Sequence, residues 1–183
     1  MKDNDVLLLV GAGAAAVLLV GVLTRKGARV RLSPHFSLRE ATVSRKAADL
    51  GLDNTPTPVQ LANMQWTAMR VAEPLRALLG RMNIHSWFRA PAVNAAVNGS
   101  DTSDHLHGMA LDFDAGDWNS AAAFDRIRES GLLQSLPIDQ LIWYVKRNHL
   151  HVGAADPTRG VGRNPRHAAY IDHEDGSRLD RIY

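Results

Sequence analysis

The chain has 183 residues, of which 45% are hydrophobic and 22% are charged, a composition that suits one globular domain with its own core and argues against a disordered chain. Its formal net charge is only +2, which argues against nucleic acid as the main partner. It contains no cysteine, so disulfides and thiolate metal sites are excluded, and any metal must be held by histidine, aspartate or glutamate.

The N-terminal part predicts a membrane anchor. Residues 1–5 form a short polar tail, and residues 6–24 carry no charge and are mostly apolar. A helix over about 18 of them would be about 27 Å long, close to the thickness of the hydrocarbon core of a bilayer. The sequence therefore predicts a transmembrane helix at 6–24 in contact with lipid. A cleaved signal peptide and a buried helix stay open as alternatives. Residues 25–34 follow as a basic linker.

Residues 35–183 are expected to fold as one domain with a loop-rich C-terminal tail. Ser37 and Glu40 have the spacing of a capping box, which predicts that a helix begins directly after Ser37. Apolar residues at steps of three and four predict a long helix over 58–79, and Pro74 is expected to kink it.

Shorter elements follow this helix along the chain. The patterns predict strands at 84–88, 109–114, 140–145 and 149–152, and helices at 90–97 and 121–130. The tail from Ala154 onward is rich in glycine, proline and arginine and is predicted as loop. Helices before and between short strands, joined by tight turns, predict an α+β domain.

Two histidines and a carboxylate are spaced so that they could hold a metal. His105 precedes Asp112 by seven residues, and Asp112 lies in the alternating strand 109–114. His149 and His151 are two residues apart in a strand, so both point to one face. Two histidines and one carboxylate form a complete ligand set for a catalytic zinc ion that keeps one position for water.

The spacing leaves the third ligand open between His149 and His151. His151 is preferred because it lies deeper in the predicted strand, and His149 would then lie beside the metal and take a proton from zinc-bound water. Arg89, near a helix start, could hold a substrate carboxylate or an oxyanion. The plainer alternative is a half-exposed strand without metal.

The motif around these residues resembles that of a known family. The run Ser103-x-His105-x-x-Gly108-x-Ala110-x-Asp112 is similar to the signature of the zinc D-alanyl-D-alanine carboxypeptidase and murein endopeptidase family, in its phage-type branch. Further similarity is present in five other segments: 35–40, 53–56, 87–94, 139–142 and 149–152.

The resemblance implies a small α+β domain with an antiparallel sheet and flanking helices. It implies Zn²⁺ on His105, Asp112 and His151, with Arg89 orienting the substrate and Ser103 contributing to substrate binding. It also implies hydrolysis of an amide bond in the stem peptides of peptidoglycan.

One departure from the family pattern concerns the general acid/base. Many members carry a glutamate directly after the residue that matches Trp143, whereas this chain has Tyr144. Other members have a histidine two residues before the last ligand, as His149 is here. The resemblance therefore implies His149 as the acid/base and Tyr144 as a hydrogen-bond donor. A catalytically silent wall-binding or virion structural protein, and a cytoplasmic zinc dipeptidase, stay open as alternatives.

The anchor at 6–24 resembles the releasable anchors of some phage endolysins. This implies a single-pass protein of the bacterial inner membrane that faces the periplasm, or a protein of a phage virion membrane with virion or membrane proteins as neighbours. The basic residues of 25–34 favour the cytoplasmic side under the positive-inside rule, so the topology stays open.

Overall fold

The computed structural model describes residues 6–7, 30–159, 162–177 and 179–182. The predicted anchor at 6–24 lies outside the described residues apart from Val6 and Leu7. Within the part of the chain that is described, no helix combines the length and the apolar character needed to cross a membrane.

The described residues contain eight strands, which form two sheets. Their bounds are β1 Val6–Leu7, β2 Val30–Arg31, β3 Met82–Ser86, β4 Ala110–Ala115, β5 Ile138–Tyr144, β6 His149–Ala154, β7 Ala168–Asp172 and β8 Asp180–Arg181. Strands β1 and β2 pair in parallel, and the other six form one sheet in the order β3-β4-β6-β5-β7-β8. All neighbours in this larger sheet are antiparallel except β5 and β7.

The α+β class is therefore confirmed, but the prediction of an antiparallel sheet is wrong, because β7 runs parallel to β5 and makes the sheet mixed. The tail from Ala154 was predicted as loop and instead supplies two strands, β7 and β8. Strand β7 has five residues in a segment rich in turn-forming residues. Its pairing with β5 joins Gln140 to Ala168, a long-range contact that local periodicity does not reveal.

The helices follow the predicted order. Their bounds are α1 Leu38–Thr42, α2 Arg45–Leu50, α3 Pro58–Thr67, α4 Glu73–Leu79, α5 Pro91–Ala96, α6 Ser120–Glu129 and α7 Leu132–Ser135, with a π turn at Ala68–Ala72 and a 3₁₀ turn at Asp104–His107. The capping box is confirmed, since Ser37 accepts from the backbone N–H of Glu40 and Glu40 accepts from that of Ser37. Helices α2 and α7 were not predicted.

The long helix predicted over 58–79 is present as α3, the π turn and α4 without a break in helical backbone. Pro74 lacks a backbone N–H and cannot continue a regular ladder. The π turn before it places Pro74 in the first turn of α4, where a missing N–H costs little.

The core lies between the helices and one face of the sheet. Leu111 and Phe113 of β4 join a buried cluster with Met64 and Leu75 of the long helix. Because side chains alternate along a strand, Asp112 points to the opposite face. The same face of the sheet therefore carries the polar residues of β4 and its neighbours.

Gly108 lies where the 3₁₀ turn enters β4, and its φ of +71° is in the left-handed region. A Cβ there would lie 2.6 Å from Cγ of Met64 and 3.1 Å from the carbonyl oxygen of Gln60. We expect Gly108→Ala to lower the free energy of unfolding by about 3 kcal/mol, from backbone strain plus steric overlap. Urea unfolding measures the loss.

Gly131→Ala is the matched control, because Gly131 has a φ of +77° and a Cβ there would meet nothing within 4 Å. It should lose about 1 kcal/mol from backbone strain alone. Equal losses in the two variants would contradict the steric part of the explanation.

Candidate metal centre

The long helix fixes the turn that carries His105. Three side chains of α3 donate hydrogen bonds to carbonyl oxygens of this turn: Gln60 to Leu106, Asn63 to His107 and Thr67 to Gly108, at 2.9, 3.0 and 3.2 Å. The indole Nε1 of Trp87 also donates to the carbonyl of Gly108, at 3.0 Å. His105 was predicted on a loop. It lies instead in the 3₁₀ turn, and these hydrogen bonds fix its position.

The structure brings the three predicted ligands together. Asp112 of β4 lies opposite His151 of β6 in the sheet register, and Oδ1 of Asp112 is 2.7 Å from Nδ1 of His151 and 3.3 Å from Nε2 of His105. One donor atom from each residue lies within 4.8 Å of the others. All three residues are buried, with 2%, 8% and 7% of His105, Asp112 and His151 exposed.

The chemical state of these groups suits a metal. Nδ1 of His105 is 2.6 Å from the carbonyl oxygen of Trp87, which fixes the proton on Nδ1 and leaves Nε2 free to bind. Burial lowers the pKa of His105 and favours the neutral imidazole. Burial opposes ionisation of Asp112, but His105 and His151 outweigh it and hold the pKa of Asp112 well below its usual value. Neutral imidazoles and an ionised carboxylate are the donors that zinc takes.

Arg89 binds the carboxylate oxygen of Asp112 that does not contact the two histidines. Its Nη2 donates to Oδ2 of Asp112 at 2.6 Å, and its Nε donates to Oγ of Ser86 at 2.8 Å. Arg89 directly precedes Ala90, the N-cap of α5, as the sequence predicted. The sequence did not indicate the contact with Asp112, which depends on the register between β3 and β4.

The other predicted site residues line the same cleft as the metal cluster. This cleft has a volume of about 670 Å³, and Ser103, Tyr144 and His149 lie on its wall with Arg89. Tyr144 and His149 are opposite each other on β5 and β6, with ring centroids 5.1 Å apart. Burial lowers the pKa of His149 and raises the pKa of Tyr144, so near neutral pH the imidazole can accept a proton and the phenol can donate a hydrogen bond.

A second group of cleft residues was not predicted from the sequence. Gln140 of β5 has its Nε2 3.3 Å from Nε2 of His151. Arg163 and Arg166, from the tail that was predicted as loop, also line the cleft. Both contact the carboxylate of Asp139, which is fully buried. The sequence did contain one signal for these arginines. Asp139 lies within an apolar strand, and a buried carboxylate needs a charged or hydrogen-bonding partner.

The Asp139 cluster joins the tail to the sheet. Arg166 donates from Nε and Nη2 to the two oxygens of Asp139 at 2.9 and 2.5 Å. Nη2 of Arg163 donates to Asp139 at 2.9 Å and to Asp104 at 2.6 Å. Burial opposes the charge of Asp139, but the hydrogen bonds from Arg166 and Arg163 outweigh it and lower its pKa.

We expect Asp139→Asn to lower the free energy of unfolding at pH 7 by about 3 kcal/mol, because two arginines lose their buried counter-charge. Asp139 has a lowered pKa, so its stabilising effect is present above the unfolded pKa of about 3.9 and disappears as the pH falls through the lower folded value. The difference between variant and wild type should therefore shrink when urea unfolding is repeated at pH 3.

Asp125→Asn is the matched control, since Asp125 forms an exposed pair with Arg128 on α6. Exposed pairs contribute about 0.5 kcal/mol. A loss at Asp139 that is equally small, or that does not change with pH, would contradict this account of the cluster.

Comparison with known proteins agrees with the geometry. A family model described as peptidase M15 matches residues 34–153, well over half of the chain and all of the proposed ligands. No curated protein matches the chain. The match confirms the family resemblance of the motif at 103–112. The chain therefore belongs to the peptidase M15 family, its activity class is that of a metallopeptidase, and its cofactor is zinc.

Proposed function

We propose that this metallopeptidase hydrolyses an amide bond in the stem peptides of peptidoglycan. The observation that carries the proposal is the buried cluster of His105, Asp112 and His151 at the wall of an open cleft. The cleft is large enough for a short peptide. The family match supports peptide hydrolysis, and the motif resemblance supports peptidoglycan as the source of the peptide.

The residues of the cleft have separate roles in this proposal. Zinc held by His105, Asp112 and His151 would supply Lewis-acid chemistry for the peptide carbonyl and the attacking water. An imidazole nitrogen of His149 accepts the proton of the attacking water and returns it to the leaving amine. The phenol of Tyr144 donates a hydrogen bond to the carbonyl oxygen as negative charge develops on it. Arg89 and Ser103 orient the peptide.

The bond type is a finer part of the same proposal. A cleft that is open to solvent is compatible with two types of enzyme. One is a D,D-carboxypeptidase, which removes a terminal residue, and the other is an endopeptidase of the L,D or D,D type. The cellular setting is a separate proposal that depends on the sequence of 6–24. This segment would anchor the enzyme in the bacterial inner membrane facing the periplasm, or in a phage virion membrane, where it would act in lysis or entry.

Mass spectrometry of muropeptides tests the activity and identifies the bond together. Purified sacculi are incubated with the zinc-loaded full chain, and with Asp112→Ala as the inactive control. We expect shortened stem peptides with the wild type alone. Unchanged muropeptides from a zinc-loaded protein that still binds sacculi would overturn the proposal in favour of a silent wall-binding protein. Cleavage of free D-Ala-D-Ala without any change in sacculi would favour a dipeptidase.

The anchor is tested on membranes from cells that express the chain. An alkaline carbonate wash should leave the intact chain in the membrane pellet. Release of the intact chain into the wash would exclude a stable transmembrane helix at 6–24.

A further inference from the structure

Arg163 and Arg166, from the C-terminal tail, lie in the same cleft as the candidate metal centre. We propose that Arg166, together with Arg163, binds a free carboxylate of the substrate close to the cleaved bond, and so makes the enzyme selective for acidic peptides. This inference rests on the proposed function, because it names a chemical feature of the same substrate.

Arg166 lies close to one of the candidate metal ligands. Its Nη2 lies 3.5 Å from Oε1 of Gln140, and Nε2 of Gln140 lies 3.3 Å from Nε2 of His151. One side chain therefore separates this guanidinium from a metal ligand. A carboxylate bound at Arg166 would belong to a residue at or next to the bond that is cleaved.

A buried carboxylate holds both guanidinium groups rigidly. Asp139, at 0% exposure, holds Arg166 by two hydrogen bonds and Arg163 by a third. The carboxylate of Asp139 thus fixes the guanidinium groups on the side that faces the protein. The side chain of Arg166 is nevertheless 53% exposed, and that of Arg163 is 36% exposed. A fixed cation loses less conformational entropy when it binds an anion than a free surface arginine does.

Arg166 has a free hydrogen-bond donor. Within the described part of the chain, Nη1 of Arg166 makes no hydrogen bond, since Nε and Nη2 serve Asp139 and Gln140. Arg89, which was predicted to hold a substrate carboxylate or an oxyanion, already donates to Asp112 and Ser86. Arg89 has the same two nitrogens in use, but its side chain is only 19% exposed against 53% for Arg166, so Arg166 is the more accessible to a substrate carboxylate.

The cleft is lined by charged side chains of both signs. Four arginines line it: Arg89, Arg147, Arg163 and Arg166. The lining carboxylates are those of Asp104 and Asp112, and each already pairs with one of these arginines. Arg147 also pairs with Glu174, and Arg163 and Arg166 share Asp139, so the charges of these side chains balance. Bound zinc would make the cleft positive, and a positive cleft with low-dielectric walls attracts anionic ligands.

The tail arginines also lie outside the segment that matches the family model, which ends at residue 153. Selectivity at this subsite would thus be a property that this chain adds through its C-terminal tail. Strand β7 pairs with β5 immediately after Arg166 and His167, and this pairing keeps the arginines at the cleft.

The experiment compares two stem peptides that differ only in whether their carboxylates are free or amidated. The zinc-loaded full chain and Arg166→Gln are assayed on both peptides, with KM and kcat where turnover occurs and calorimetric Kd where it does not. We expect the wild type to prefer the free acid by about tenfold, mainly in KM or Kd, as a charge-assisted hydrogen bond would produce. Arg166→Gln should lose most of this preference.

Arg126→Gln is the matched control, because Arg126 is an exposed arginine of α6 that contacts Trp118 and does not line the cleft. It should keep the wild-type preference. Arg166→Lys keeps the charge and should retain part of it, which separates charge recognition from loss of structure.

Two outcomes would overturn the inference. The first is a wild type without preference for the acid, and the second is an equal effect of Arg166→Gln on both peptides, as a purely structural role would give. The proposed function can fail separately. A preference in Kd that Arg166→Gln abolishes, without turnover of either peptide, would support the subsite and contradict the hydrolytic activity.

Discussion

Replacing Asp112 by alanine is expected to abolish zinc binding and peptide hydrolysis together. Its carboxylate is the shared partner of His105, His151 and Arg89, at 3.3, 2.7 and 2.6 Å. Without it, two imidazoles remain as ligands, and the negative charge that balances the metal is lost. Removing an outer partner of a zinc ligand already lowers affinity by about 10- to 100-fold, so the loss of a ligand should exceed a hundredfold. His105→Ala should have the same result.

The measurement is zinc content after dialysis, together with release of peptides from sacculi. Asp114→Ala is the matched control, because Asp114 lies two residues further along β4 on the same face of the strand and contacts His85 rather than the cluster. It should keep about one zinc per chain. A folded Asp112→Ala protein that retains stoichiometric zinc would exclude the proposed metal centre.

Local patterns were enough to predict most of the elements that surround the site. The capping box at Ser37 and the long helix over 58–79 are determined by contacts between residues three or four apart, which the sequence displays directly. The alternation around Asp112 likewise predicted which side chains of β4 would point away from the core. Each of these features depends on neighbours in the chain.

The features that were missed depend on residues far apart in the chain. Strand β7 exists because it pairs with β5, and its five residues are too few for a clear period. Arg163 and Arg166 reach the cleft because Asp139 is buried in β5. Spacing could bring His105 and Asp112 into one motif, but it could not indicate which distant side chains complete the wall around them.

Replacing His149 by alanine is expected to leave zinc bound and to remove turnover. His149 lines the cleft beside Tyr144 but is not one of the three clustered ligands. Loss of a general acid/base typically lowers kcat by about 10²- to 10⁴-fold. The pair of measurements, zinc content and kcat on a stem peptide, therefore separates a proton-transfer role from a ligand role. Unchanged activity would remove His149 from the mechanism, and loss of zinc would make it a ligand.

Tyr144→Phe provides the comparison within the same cross-strand pair, because it removes one hydroxyl and keeps the ring that packs beside His149. We expect kcat to fall by about tenfold, the cost of one hydrogen bond to developing charge that other donors partly replace. A larger loss in Tyr144→Phe than in His149→Ala would reverse the two roles. This chain has Tyr144 at the position where the family resemblance leads us to expect a glutamate. Comparing the loss of kcat in His149→Ala with that in Tyr144→Phe therefore determines whether His149 carries out the proton transfer in place of that glutamate.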